Sequence, residues 1–589
     1  MKKQISEMRN YYQAAIVLFF VAVFCYFCFP GNYVLYFQET QNLFLYTTDY
    51  FTGYLVKSGG PLEYAARFLE QFYALRFTGA LVLSAVLTLT LIVSVRTTRR
   101  LIPENPFYLP LALIPPLLLA VMQANYYHLM EYNLAYLVVM ALYLAVVSSG
   151  LRYRHHLIIS AFPVLYYIIG AYTLIFMMMY IVHNICFEDK KRMTVRIMAT
   201  AIAGAVVFIL FRKVFFLQPA GQIIFSPFPL LENPFYRTLF ILLAACMVFY
   251  PLIFRVAAGR GTRHVSRPVY PLAASFFLFL AAIYCVFRIF SPQTSRVVEI
   301  ERLVFSGKFE EAVRLHGKKP SRNLIGQYFY NYALSETDQL CERLFAGRQD
   351  FSAGALVLPW GGEHLNRGGY FYYSVGLVNE ARRWAYEEMT VYGIRPQNMQ
   401  MLVRTSILNG DIRMAGKYLK ILKRTIFYRS WAKEYEKLAV DPELIGSHSD
   451  LGPRADLLPR NSFFIQFNEP QNNLPLLLEG NPENRRAIEY YLAGLLLTGK
   501  VEIIVNNISG LEESGYTSIP RHIEEAILVY YNSTGVFPDL GGLRMNRETA
   551  ARFDRYFKAY LAARNDPSTM KDKLEKEFGN TFWYYFHFR

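Results

Sequence analysis

A chain of 589 residues with 54% apolar and only 18% charged residues is too hydrophobic for one ordinary soluble domain. Its formal charge of +16 is unevenly placed: 23 Lys/Arg face 10 Asp/Glu up to Pro292, against 38 and 35 beyond it. A nucleic-acid-binding protein would cluster basic residues on a soluble face. Here they lie mainly in the apolar half, where Lys and Arg mark loops kept in the cytoplasm, so no nucleic-acid partner is expected.

From the N-terminus, Lys2, Lys3 and Arg9 precede an apolar run from Tyr12 to Phe29 that ends in Pro30-Gly31 without a small-x-small cleavage site. It is read as an uncleaved first span. The stretch Gly31 to Arg76 is the longest polar one of this half. Within it, Leu62, Ala65, Ala66, Leu69, Phe72 and Tyr73 recur at helical spacing with Glu63, Arg67 and Glu70 elsewhere on the wheel. That pattern predicts an amphipathic helix lying along a bilayer, with Glu63 and Glu70 on its wet face.

Phe77 to Val95 holds no charge and is long enough, at about 1.5 Å per residue, to cross a core about 30 Å thick. Further apolar runs cover Phe107 to Met122, Tyr132 to Ser148, Leu157 to Ile185, Ile197 to Phe211, Thr238 to Phe254 and Tyr270 to Phe287. The run from Leu157 is too long for a simple span and carries Pro163 and Gly170. As one tilted helix it leaves Lys/Arg split 12 inside to 11 outside; as two short helices it gives 16 against 7. The second arrangement satisfies the positive-inside rule. The expectation is therefore an all-α fold with about nine membrane segments in residues 1–292, an external loop at 31–76, a cytoplasmic N-terminus and a periplasmic C-terminal half in a bacterial inner membrane.

Five of the six cysteines, Cys25, Cys28, Cys186, Cys246 and Cys285, lie in or beside apolar segments, and Cys341 is alone in the second half. No disulfide within residues 293–589 is possible. Cys25-Tyr-Phe-Cys28 has redox-motif spacing but sits where a thiolate would be poorly solvated.

Beyond Pro292 amphipathic helical patterns alternate with Gly-x turns. Gly307-Lys-Phe-Glu-Glu-Ala312, Gly376-Leu-Val-Asn-Glu-Ala381 and Gly410-Asp-Ile-Arg-Met-Ala415 all place Gly and Ala five apart, with Gly376 69 residues after Gly307 and Gly410 34 after Gly376. Gly499-Lys-Val-Glu-Ile-Ile504 is a degenerate copy. A period near 34 suits helix-turn-helix repeats, with Gly ending one helix in a left-handed conformation and Ala admitting close packing of the next. The core pattern resembles the tetratricopeptide repeat, without most of its Trp, Tyr and Pro signposts, and the Pro- and Asn-rich stretch from Asp441 to Asn484 breaks the register. Residues 293–589 are thus expected to form a soluble helical-repeat domain holding a protein or peptide partner.

Phosphate loops, His-Glu-x-x-His helices and Gly-x-Ser-x-Gly elbows are missing. His155-His156 reads as a basic flank, and His128 with Glu131 offers too few ligands for zinc. No cofactor and no metal are expected. The near absence of charges inside the spans also speaks against transport.

The stretches Gly59-Gly60-Pro61-Leu62-Glu63-Tyr64 through Gln71-Phe72, Tyr330-Asn-Tyr-Ala-Leu334, Asn379-Glu-Ala-Arg-Arg-Trp-Ala-Tyr-Glu387 and Ala415 through Tyr428-Arg-Ser-Trp-Ala432 resemble an uncharacterised family of polytopic membrane proteins from Bacteroidota. The arrangement of spans, first external loop and C-terminal domain is more loosely similar to the C-type glycosyltransferases, enzymes that use polyprenyl-phosphate sugars. That likeness implies an acidic catalytic residue in the first external loop, which would be Asp49 acting as base, although the signature Asp-Glu pair is absent; otherwise Asp49 is a solvated or helix-capping acid. Two functions follow: an envelope protein presenting its repeats to a partner, or a lipid-linked glycosyltransferase.

Overall fold

The computed structural model describes residues 2–102, 107–149, 154–229, 232–259, 269–564 and 567–588. Arg152, Arg260, Arg263 and Arg267, part of the basic flanks, lie outside the described residues. Among the described residues there is no strand. The chain divides into two units, Met1–Ser291 and Pro292–Arg589.

In unit 1 the apolar runs become helices because only a helix satisfies its own backbone groups where water is excluded. The helices are α1 (Lys2–Cys28), α2 (Asn32–Thr40), α3 (Thr48–Leu55), α4 (Gly60–Glu70), α5 (Arg76–Leu101), α6 (Tyr108–Gln123), α7 (Met130–Ser148), α8 (Arg154–Ile169), α9 (Tyr172–Phe187), α10 (Lys190–Lys213), α11 (Ala220–Phe225), α12 (Pro234–Val248), α13 (Tyr250–Gly259) and α14 (Val269–Ile289). Among the described residues five stretches, in α1, α5, α7, α10 and α14, are long and apolar enough to cross a membrane. A sixth is the pair α12 and α13, bent by 58°, while α6, α8 and α9 are shorter apolar helices. By length and composition such a set fits a membrane protein.

The long run from Leu157 is a helical hairpin. It breaks at Gly170, whose φ of +59° few other residues adopt, and a Cβ there would stand 2.6 Å from Pro227 Cδ and 2.9 Å from the Ser226 carbonyl oxygen. At this break the Gly59 amide, from the loop between α3 and α4, donates to the Tyr167 carbonyl at 2.8 Å, and the Ala171 amide donates to the Ser226 carbonyl at 3.0 Å. The far ends of α8 and α9 also meet. His155 Nδ1 lies 2.6 Å from the Tyr180 hydroxyl, and its Nε2 lies 3.7 Å from Glu188, which also pairs with Arg196. Two helices whose broken ends and free ends both touch run antiparallel.

Basic residues at other helix ends of unit 1 gather near those far ends of α8 and α9. Arg99 stacks on Tyr12 and Tyr108, Arg255 on Phe187, and the Tyr250 hydroxyl joins Ser94 and Thr98 at 2.9 and 2.8 Å. The Gly59 loop touches the opposite end of the hairpin.

Unit 2 is a succession of short helices, each packed on the next, beginning with Pro292–Phe305, Phe309–Lys318 and Leu324–Glu336. Further on come Leu365–Ser374, Val378–Tyr392, Pro396–Leu408 and Ile412–Leu422. Gly307, Gly376, Gly410 and Gly499 all have φ between +70° and +84°, and Ala312, Ala381 and Ala415 are fully buried. At Gly376 a Cβ would stand 2.3 Å from the Leu457 carbonyl oxygen, so this junction needs glycine for space as well as for φ.

Candidate functional site

The segment from α2 to α4 gathers a cluster of aromatic rings. Phe44 lies 5.1–5.6 Å from Tyr46, Tyr50, Tyr64 and Phe68, and Tyr54 and Phe51 pack on Tyr64 at 5.7 and 5.0 Å. This locks α3 onto α4, and α4 packs against α7. The helix is turned differently from its predicted setting. Leu62, Ala66 and Glu70, four residues apart, face inward, while Ala65 and Phe68 are exposed.

Glu70 is therefore buried rather than wet, at 4% exposure. Its Oε1 accepts the Met130 amide at 3.1 Å, the first residue of α7, and its Oε2 accepts Arg67 Nη1 at 2.7 Å. An anion at a helix N-terminus and a charge-assisted pair explain why a carboxylate is held there. Glu63 pairs with Lys57. One residue into α7, Glu131 is 6% exposed and close enough for Glu63, Arg67, Glu70 and Lys57 to act on it electrostatically. Its Oε1 has no hydrogen-bond partner, a costly state for a buried carboxyl group.

Asp49 sits apart from this cluster. It occupies the first turn of α3 behind the Thr47 cap, whose side chain accepts the Tyr50 amide at 3.2 Å, and it is exposed. A negative charge there favours the helix N-terminus.

His128 forms no pair with Glu131. Its Nδ1 lies 2.6 Å from the Tyr236 hydroxyl and its Nε2 3.2 Å from Asn133 Oδ1. Asn133 donates to Gln123 at 2.6 Å, and Gln123 to Gln38 at 3.3 Å, a buried chain that stitches α2, α6, α7 and α12 together. With both ring nitrogens used, this histidine is structural. No group of three or more His, Cys, Asp or Glu suited to a metal occurs among the described residues. Cys25 and Cys28 are free thiols.

Unit 2 contributes features the sequence did not point to. A cleft of about 770 Å³ is lined by Trp360, Tyr372, Arg383, Trp384, Phe467 and Asn468 among others. The Arg383 guanidinium lies 4.5 Å from the Trp360 ring and 4.1 Å from the Phe467 ring, and its Nε donates to Glu380 at 3.0 Å. Trp384 is turned inward against Gly368, where a Cβ would stand 2.2 Å from its ring. Trp360 packs edge-on against it at 4.5 Å and remains 49% exposed, as Phe467 is at 53%. Trp is scarce here, four in the chain, and a Trp beside Gly361-Gly362 was the available signal.

A second cleft, of about 600 Å³, is lined by Arg521, Glu524, Glu525, Arg544 and Arg552 among others. Its acids are satisfied from within: Glu524 accepts Thr549 and the Asn546 amide, and Glu525 accepts Arg521, His522 and the Phe582 amide.

No curated protein and no solved structure is similar to the chain. Residues 9–589 match the model of a family of unknown function, DUF6057, and the chain belongs to that family.

Proposed function

We propose that this is a bacterial inner-membrane protein of nine membrane segments, N-terminus in the cytoplasm, that presents unit 2 in the periplasm as a tetratricopeptide-like module for holding or positioning an envelope partner. Five long apolar stretches, one bent pair and three shorter apolar helices supply nine segments, and the α8–α9 hairpin supports counting its helices separately. The gathering of Arg99, Arg196 and Arg255 at one end fits the positive-inside rule. The observation that carries the reading is the aromatic cleft of about 770 Å³, a size typical of ligand sites, set in a succession of packed helix pairs.

The second reading, transfer of sugar from a polyprenyl-phosphate donor, is favoured by Glu131, whose buried, unpartnered Oε1 near Arg67 and Glu70 of α4 suits acid-base work. Asp49 is the acid that the family likeness nominates for the same role.

In cells, Glu131→Gln and Asp49→Asn separate the two. On the binding reading both leave envelope glycans at wild-type level with the protein still in the membrane. A loss of 100-fold to 10,000-fold in glycan transfer with either substitution would move the function to unit 1. A reporter fused after Arg589 is expected to be active in the periplasm; cytoplasmic activity would overturn the topology.

A further inference from the structure

We infer that the Trp360–Arg383–Phe467 stack is a saccharide-binding platform, the pyranose face lying on the exposed rings and its oxygens meeting the Arg383 amino groups. This rests on the reading of unit 2 as a binding module and names the class of its partner.

Large aromatics half exposed in a water-soluble unit cost hydration free energy and mark an interaction site when they cluster. Trp360 and Phe467 are 49% and 53% exposed, and Phe351, also lining the cleft, is 40% exposed. The three planar groups of the stack form one wall, because Arg383 lies between the two rings at 4.5 and 4.1 Å. The wall is fixed in advance: Trp384 is wedged against Gly368, Trp360 rests on Trp384, and Glu380 holds Arg383 through its Nε. A rigid wall spares a ligand the ordering cost that flexible side chains impose.

The chemistry of the wall selects the ligand. The Glu380 bond uses only Nε, which leaves the amino groups of Arg383 as donors, and the Asn468 side chain adds a donor and an acceptor beside Phe467. A ligand matching this must offer an apolar face with C–H groups toward the ring quadrupole and many oxygens at its edge, as a pyranose does. A proline-rich peptide is instead gripped by indole and phenol donors standing between aromatic ridges. Here the Trp384 indole and the Tyr372 ring are each 2% exposed, which leaves Trp360 as the one exposed indole and no pair of donors between ridges.

The test uses the full chain in detergent against a printed array of oligosaccharides and a proline-rich decapeptide, followed by titration of Trp fluorescence with any sugar bound. Binding of at least one saccharide, weakened tenfold or more by Trp360→Ala and by Phe467→Ala, is expected. Both side chains are half exposed, so the melting temperature should stay within a few degrees, and Phe467→Tyr should retain binding as a check against unfolding. Arg383→Gln should weaken binding while leaving the fold in place. Saccharide binding unaffected by Trp360→Ala would overturn the platform. Capture of the decapeptide with no saccharide would overturn the sugar while leaving a binding module. No binding of either probe, together with loss of envelope glycan on Glu131→Gln, would overturn this inference and the binding reading at once.

Discussion

Helix α14 of unit 1 and the helix Ile412–Leu422 of unit 2 put the same geometry to opposite use. The first leaves Phe276, Phe277, Tyr284 and Phe287 60–72% exposed; the second buries Ala415, Tyr418, Leu419 and Leu422 and turns Lys417 and Lys420 outward. In a bilayer an exposed Phe needs no explanation and a buried, unpartnered carboxyl group does. In water the exposed aromatic is the anomaly, and a buried acid is ordinary once it is paired. The features to be explained are therefore Glu131 in unit 1 and Trp360 with Phe467 in unit 2.

The largest effect expected from probing this contrast is in unit 2. Glu336, its side chain 3% exposed, accepts Arg454 Nη2 on both oxygens at 2.6 and 2.5 Å and lies 3.0 Å from Arg486. Glu336→Ala leaves two buried cations unpaired and should cost about 3–5 kcal/mol, measured by chemical unfolding of the full chain. A cost below about 1 kcal/mol would mean the triad is solvated. Next, Phe277→Lys should hinder insertion of α14 by about 2.5–3.5 kcal/mol, seen as loss of protease protection. Tyr386→Lys, 51% exposed in unit 2, should stay within about 0.5 kcal/mol. Equal effects at the two positions would erase the distinction between the units.

Ala415→Trp should cost about 1–3 kcal/mol by overpacking the contact at a fully buried alanine; an unchanged melting curve would remove that contact. The smallest effect is in the pH profile. Burial raises Glu489 to about 8, so its contribution is complete below the unfolded carboxylate value and is lost as pH rises toward 8. For Asp450 burial works upward, but Arg404 and the Tyr435 hydroxyl outweigh it and hold the group at about 2. Its contribution is present above the unfolded value and is lost as pH falls toward 2. Glu489→Gln should flatten the neutral limb of the melting temperature against pH, and Asp450→Asn the acid limb.

What the sequence disclosed was local. The apolar runs, the Gly170 break and the left-handed glycines at 307, 376, 410 and 499 each depend on neighbours within a few positions, and each is found. What it hid depends on distant partners. Glu70 is buried because Met130, 60 residues on, needs a cap, and nothing in the wheel of α4 carries that. The cleft draws Trp360, Arg383 and Phe467 from segments up to about a hundred residues apart, and Phe467 comes from the Pro- and Asn-rich stretch that seemed only to interrupt the repeats. Asp49, by contrast, lies where the alternative local reading of it as a solvated acid at a helix start puts it, exposed in the first turn of α3 behind Thr47.

The hairpin at Gly170 also fixes a parity. A helix that crosses a layer delivers the rest of the chain to the far side, whereas an antiparallel pair returns it to the side from which it came. On the nine-segment topology proposed above, the break at Gly170, with φ of +59°, sets the side on which everything after Phe187 begins. On that topology α8 and α9 enter the bilayer as a couple, since neither 16-residue helix, about 24 Å long at 1.5 Å per residue, fills a core about 30 Å thick. On that topology, a substitution that straightened the break would do more than strain a turn: it would move the 298 residues of unit 2 to the opposite compartment.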